Sequence, residues 1–419
     1  MRYEDYIDEE YEPKETDLLC KFRLEYDPSV SFEWAAGGIA AESSIGTWDP
    51  NLSTMRKGIE KLGAKVYQLD RESNRIWVAY PWKLFEPGNM PQILSSVTGN
   101  IFGLEKLTRL RILNVKIPEK IGKSFPGPQL GLSGIRELTG VKKRPLLGTI
   151  VKPKLGLRDD KHSNVAYSAW IGGLDLVKDD ENLTDMTFNS FEKRVSKTLS
   201  KRDEAEEETG EKKLYLPNIT APLGEMKKRA DYVIERGGEF VMIDILTSGW
   251  SALQEMRDYL DGRKVGIHAH RAQHAAYTRL QSHGITMLSI AKFARLVGVD
   301  NIHAGTVVGK MEGKKKEIVE IYDFLRSELW DLRKTIPVAS GGLHPGLVDD
   351  LIDIFGMDLI IQAGGGVHGH PMGPKSGGKA MKQAVEARIR GIDLQDYADD
   401  HAELEKALEK YESQNQGDR

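Results

Sequence analysis

The chain has 419 residues, 40% hydrophobic and 29% charged, with 59 Lys and Arg against 63 Asp and Glu for a formal net charge of −4. That length exceeds one ordinary domain and fits two, and the composition is that of a folded chain. No basic tract argues for a nucleic-acid partner, no apolar run approaches the roughly 18 residues of a membrane span, and a single cysteine, Cys20, excludes an intrachain disulfide or a cysteine metal centre. The acidic N-terminus lacks the apolar stretch of a signal peptide, so the cytoplasm is the expected setting.

Residues 1 to about 130 mix strand and helix patterns. Strands are expected at 17–26, 65–70 and 74–80, and helices at 31–42 and 89–98, the second with Asn89 as cap and Pro91 in its first turn. Residues 120–131 (KIGKSFPGPQLG) are rich in Gly, Pro and Lys and mark a linker. The expected domains are therefore 1–130, α+β, and 131–419.

Beyond residue 131 short β-rich apolar runs alternate with helical segments. The runs fall at 146–152, 174–180, 214–220, 240–246, 264–270, 301–306, 336–341 and 359–363, with helices expected at 190–209, 223–236, 252–261, 285–296 and 316–332. Repeated βα units of this kind predict a (β/α)8 TIM barrel, whose chemistry sits at the carboxyl ends of its strands. Polar groups do collect there: Lys152 and Lys154, then Lys178 to Glu181, Asn218, Asp244, His268 to Arg271, His303, Ser340 and the glycines from 364.

Each cluster has a plain reading beside a chemical one. In LDLVKDDEN, Lys178 and Asp180 share a strand face. Asp180 and Glu181 are hard oxygen donors suited to Mg²⁺, although a surface acidic turn with a lysine counter-ion has the same residues. An ammonium repels a cation, but a lysine amine that takes up CO₂ becomes an anionic ligand, which leaves room for Lys178 in such a site. Lys152 and Lys154 of IVKPKLG share a face and need anions nearby; solvated lysines after a strand are the alternative. In IHAHRAQH, His268 suits a hydrogen-bonded core position, whereas His270 and Arg271 suit a site, with Arg271 fitted to a phosphate. Ser340-Gly341-Gly342 and Gly364-Gly365-Gly366 follow the last two strands, where barrels commonly hold phosphate on backbone N–H groups. AGTVVGKMEG, with Lys310, has the composition of a closing lid and equally of an ordinary loop.

Taken in order, GTIVKPKLG, GLDLVKDDEN, HAHRAQHAA, NIHAGTVVGKMEG, PVASGG and QAGGGVHGHP resemble the motifs of the large chain of ribulose-1,5-bisphosphate carboxylase/oxygenase (RuBisCO), as do AAESSIGTW and TGNIFG near the N-terminus. The mixture resembles the archaeal form III, which works without small subunits. The resemblance implies a ferredoxin-like α+β N-terminal domain before the barrel. It implies carboxylation of ribulose 1,5-bisphosphate by CO₂ to two molecules of 3-phosphoglycerate, with competing reaction of O₂, in nucleoside-monophosphate salvage or carbon fixation. Lys178 is then the lysine carbamylated by an activator CO₂, and holds Mg²⁺ with Asp180 and Glu181. Lys152 matches the acid that protonates the product carbanion, supported by Lys154. His270 matches the residue assisting proton transfer, and Lys310 the lysine that meets the new carboxylate. Arg271, His303 and Ser340 match one phosphate end and the neighbouring hydroxyls. Gly342, Gly364 and Gly365 match the other end, and Gly341 and Gln362 count among the substrate-binding positions. Glu42, Thr47, Trp48 and Asn100 match residues lent by a partner subunit, which implies a homodimer with shared sites. Ile150, Ala363 and Val367-His368 depart from the plant pattern around the pocket. An enolase-like relative of methionine salvage, a zinc hydrolase built on His268 and His270, and a catalytically inert scaffold homologue are the competing readings.

Overall fold

The computed structural model describes residues 1–308 and 315–417. Backbone contacts divide it into two compact units. One comprises Met1–Pro126, Gln273–Val297 and Trp330–Leu332; the other comprises Gly127–Ala272, Gly298–Leu329 and Arg333–Arg419.

The first unit carries strands β1 (Leu18–Tyr26), β2 (Lys65–Asp70), β3 (Arg75–Tyr80) and β4 (Leu107–Lys116) in the order β4-β1-β3-β2, with a helix (Phe32–Glu42) after β1 and another (Met90–Val97) after β3. β1 runs antiparallel to both β3 and β4, and β2 antiparallel to β3. This is the ferredoxin-like arrangement. Local chemistry sets the elements. β1 alternates buried and half-buried residues along most of its length. The Ser31 hydroxyl accepts from Trp34 N at 3.0 Å, and Asn89 Oδ1 accepts from Gln92 N at 3.0 Å with Pro91 behind it, capping the two helices. The Gly- and Pro-rich stretch after β4 is a packed connection, not a loose tether: it opens in a helical turn (Glu119–Gly122), and Ile121 and Phe125 are buried.

The barrel strands are β5 (Leu146–Ile150), β6 (Leu176–Lys178), β7 (Leu214–Leu216), β8 (Phe240–Asp244) and β9 (Gly266–His270), then β11 (Asn301–His303), β12 (Ile336–Ser340) and β13 (Ile360–Gln362), with β10 (Gly284–Ile285) lying between β9 and β11 in the chain. The sheet order is β7-β6-β5-β13-β12-β11-β9-β8, all parallel. A parallel bridge between Asn218 and Met242 joins β7's end to β8 and closes the ring. The ring is thus the (β/α)8 barrel that the alternating runs predict. β10 belongs elsewhere, pairing with β4, and the helix after it (Met287–Val297) groups with the first unit although its periodicity is that of a barrel helix.

The barrel is chemically polarised. Leu146, Leu176, Leu214, Phe240, Ile336 and Ile360, each the first residue of its strand, cluster with Ile135 of the helix Gly131–Thr139, which closes that end with apolar side chains. Lys178, Asp244, His270 and Ser340 stand at the opposite ends of their strands.

Candidate active site

Strand alternation sorts the residues at the end of β6. Lys178 and Asp180 turn to one side and Asp179 to the other. Lys178 is 1% exposed; its Nζ donates to Asp179 O at 2.8 Å, lies 3.5 Å from Met242 Sδ and 3.9 Å from Glu181 Oε2. Burial pushes its pKa down, against the opposing pull of Glu181 and Asp180. Asp180 Oδ2 accepts from Lys152 Nζ at 2.8 Å, and Asp180 Oδ1 from Asn182 N at 3.1 Å. Lys154 Nζ donates to Asn182 Oδ1 at 3.1 Å. Burial raises the Glu181 carboxyl, but His270 and Lys178 outweigh it and hold the pKa below its usual value.

Asp179 anchors this turn from behind. It is fully buried in the helix layer, accepting from Tyr215 Oη at 2.6 Å, Asn218 N at 3.0 Å and Arg194 Nε at 3.1 Å, with His162 Nε2 also 3.1 Å away but off the hydrogen-bond axis. Asn218 in turn donates through Nδ2 to the carbonyls of Asp180 (3.3 Å) and Glu181 (3.1 Å), so the backbone bearing both carboxylates is pinned.

Imidazoles line the next strands. His270 contacts Asp244 Oδ1 through Nδ1 at 2.8 Å and lies 3.6 Å from Glu181 Oε2 through Nε2. His268 is bonded through Nδ1 to Asn301 Oδ1 and through Nε2 to His303 Nε2 at 3.0 Å, and His303 Nδ1 meets Ser340 Oγ at 2.7 Å. Burial keeps His268 and His303 neutral, their pKa values well below the ordinary one. His268 and His270 thus turn to different partners and do not converge as a metal pair.

Arg271 is buried, and burial lowers its guanidinium to about 10. No carboxylate lies within ion-pair distance of it among the described residues, a charge arrangement that calls for an anion. Gly341 and Gly342 adopt left-handed backbone (φ 107° and 69°) that admits glycine readily. A Cβ on Gly366 would fall 2.1 Å from Leu343 O, so the two glycine turns pack backbone to backbone. A Cβ on Gly364 would lie 3.5 Å from Lys152 Cε, placing that turn beside the lysine. Gln362 donates weakly to Thr149 O at 3.5 Å, and its Oε1 is buried without a partner.

The barrel mouth therefore gathers Lys152, Lys154, Lys178, Asp180, Glu181, His270, Arg271, His303, Ser340 and the glycine turns. Lys310 lies outside the described residues. Glu42, Thr47, Trp48 and Asn100 lie in the other unit: Glu42 Oε1 accepts from Tyr3 Oη at 2.6 Å, and Trp48 is 80% exposed. Sequence reasoning passed over Asn301 and Thr149, and noted Asp179, Asn218 and Asp244 only as polar groups at strand ends. Their signal was the register of the strands, which aims Asp179 outward and Asp244 toward His270.

Barrel, polarity and ring of ionisable groups define a (β/α)8 enzyme working at the carboxyl end of its sheet. Family models narrow this. The model for the ribulose bisphosphate carboxylase large chain, catalytic domain, matches residues 131–411, and that for its N-terminal domain matches residues 5–121. A ribulose bisphosphate carboxylase of Methanosarcina barkeri is 48% identical, over 97% of this chain and 99% of its own. One of Pyrococcus abyssi is 50% identical, over 98% and 96%. Among solved structures, the octameric RuBisCO of Pyrococcus horikoshii in complex with sulfate ion is similar at a TM-score of 0.95 and 50% identity, covering 98% of this chain and 97% of that one. The dimeric archaeal RuBisCO of Hyperthermus butylicus follows at 0.92 and 44%, covering 98% and 99%. The chain belongs to the ribulose bisphosphate carboxylase large-chain family, and its enzyme class is ribulose bisphosphate carboxylase.

Proposed function

We propose that the chain carboxylates ribulose 1,5-bisphosphate with Lys178, Asp180 and Glu181 as its metal-holding set and Lys152 and His270 as proton-handling groups. The observation that carries this is the buried Lys178 amine set beside two carboxylates. Among the described residues no three His, Cys, Asp or Glu side chains gather as a ligand set. Two carboxylates alone make a sparse site for a hard cation. A lysine turned into a carbamate by CO₂ completes an all-oxygen donor set, and burial favours the neutral amine that such a reaction needs. The residues thus fit Mg²⁺. When bound, it supplies the positive charge that polarises the substrate carbonyl.

The chain's own groups do the rest. Lys178, once modified, is the base for the C3 proton of the substrate. Asp244 orients His270 through Nδ1, leaving Nε2 facing Glu181 and free to pass a proton at C3. Lys152, held by Asp180, is the acid for the product carbanion. Arg271 takes one phosphate end, His303 and Ser340 serve that end and its hydroxyls, and Gly341, Gly342, Gly364 and Gly365, with Gln362 behind them, take the other. Lys310 meets the new carboxylate. Glu42, Thr47, Trp48 and Asn100 complete the site of a partner copy, so the working unit is a homodimer without small subunits. The dimeric and octameric assemblies named for the solved relatives support self-association. O₂ competes with CO₂ for the same activated substrate. No helix among the described residues is long and apolar enough to cross a membrane.

The test is anaerobic fixation of labelled CO₂ into acid-stable product after preincubation with bicarbonate and Mg²⁺. Labelled 3-phosphoglycerate is expected, and Lys178→Ala should form none and lose the response to preincubation. An active Lys178→Ala enzyme overturns the carbamate assignment. A folded wild type that fixes no label shifts the assignment to enolisation of related sugar phosphates.

A further inference from the structure

The C-terminal helix (Ala402–Gly417) lies outside every motif that carries the chemistry, yet it touches the second glycine turn and His344 just after the first. The Tyr411 hydroxyl donates to Gly365 O at 2.9 Å. Its ring stacks on His344, just beyond the Ser340-Gly341-Gly342 turn, with centroids 4.5 Å apart and planes 15° from parallel. Next to it, Lys410 Nζ donates to Gly369 O at the end of the second turn. The helix is itself fixed: Leu404, Ala407 and Leu408 are buried, and His370 Nε2 donates to Glu403 O at 2.8 Å.

Glycine turns have no side chains with which to hold their own position, and glycine has more backbone freedom to lose than any other residue. Backbone N–H groups bind an anion well only where the turn is already set. Tyr411 reaches the second turn through its hydroxyl and His344, two residues past the first turn, through its ring. A Cβ on Gly369 would already come within 3.3 Å of the Tyr411 hydroxyl, so the fit is close.

We infer that Tyr411 is a positioning residue that braces the two glycine turns as one phosphate-holding wall. This rests on the proposed assignment of those turns to a substrate phosphate. Tyr411→Phe keeps the stack on His344 and removes only the hydroxyl, so the fold is preserved; an unchanged melting temperature checks this. Its KM for ribulose 1,5-bisphosphate is expected to rise about fivefold, the worth of one hydrogen bond, with kcat within about twofold of the parent. Affinity for inorganic phosphate, measured by calorimetry, should fall by a similar factor. Tyr411→Ala should exceed both changes. If Tyr411→Phe leaves KM and phosphate affinity at parent values, or if Tyr411→Ala lowers the melting temperature alone, the residue is structural and the inference fails. Should the wild type fix no CO₂, the carboxylase reading fails by itself, and phosphate affinity still decides the role of Tyr411.

Discussion

Asp179→Asn tests whether the turn that presents Lys178, Asp180 and Glu181 is held from behind by charge. Asp179 and Arg194 are both fully buried, with Nε 3.1 Å from Oδ2. Burial alone would raise the Asp179 carboxyl; the Arg194 charge and the groups of His162 and Tyr215 overcome that and hold it well below its usual range. The amide keeps the shape and leaves the guanidinium without its counter-ion. Removing one partner of a buried pair costs about 3–5 kcal/mol. Far-UV circular dichroism across a urea series should show that loss as a lower midpoint. Arg194→Met added to Asp179→Asn should cost less than the sum of the two single changes by at least about 1 kcal/mol. A folded carboxyl with a depressed pKa stabilises in full above its unfolded pKa of about 3.9 and ceases to as the pH falls through the folded value. The gap between parent and mutant should therefore close below about pH 4. A single mutant within about 0.5 kcal/mol of the parent, or strict additivity, refutes the reasoning.

Arg271→Lys removes the planar fork from a buried site, and KM for ribulose bisphosphate should rise about tenfold to a hundredfold in steady-state assays; an unchanged KM would place the phosphate elsewhere. Thr149→Val deprives His368 Nε2 and Ala363 O of the hydroxyl that lies 3.0 and 2.7 Å from them, and should cost about 1–3 kcal/mol in urea unfolding. Mixing inactive Glu42→Gln with inactive Lys178→Ala should regenerate activity through hybrid dimers; no recovery after demonstrated subunit exchange counts against shared sites.

Much of the barrel is legible because its apolar runs alternate with helical segments, but the runs overstate the strands. Residues 174–180 form a strand only over Leu176–Lys178; Leu174, Asp175, Asp179 and Asp180 on either side are buried but lie outside it. β4 escapes a pattern search because its arginines break the alternation; Arg111 is nonetheless buried, its guanidinium spent on the carbonyl of Thr278. The helix Asp159–Ile171 is equally hidden, with acidic and small polar residues where an amphipathic stripe would show. The site motifs lie in short contiguous segments, so spacing reveals them. Tyr411 and Asn301 act across the chain and leave no local mark.

The string from Asn301 through His268 and His303 to Ser340 also has a direction. Asn301 Oδ1 can only accept, so the His268 hydrogen sits on Nδ1 and its Nε2 must receive one from His303. His303 Nδ1 is then bare, and the Ser340 hydroxyl points its hydrogen inward to it. What Ser340 shows the barrel mouth is a pair of electrons. A sugar hydroxyl arriving there must bring its own hydrogen, and a carbonyl oxygen in the same place would meet only repulsion. If the proposed bisphosphate binds at this mouth, polarity set by a buried asparagine would bias which way round it lies.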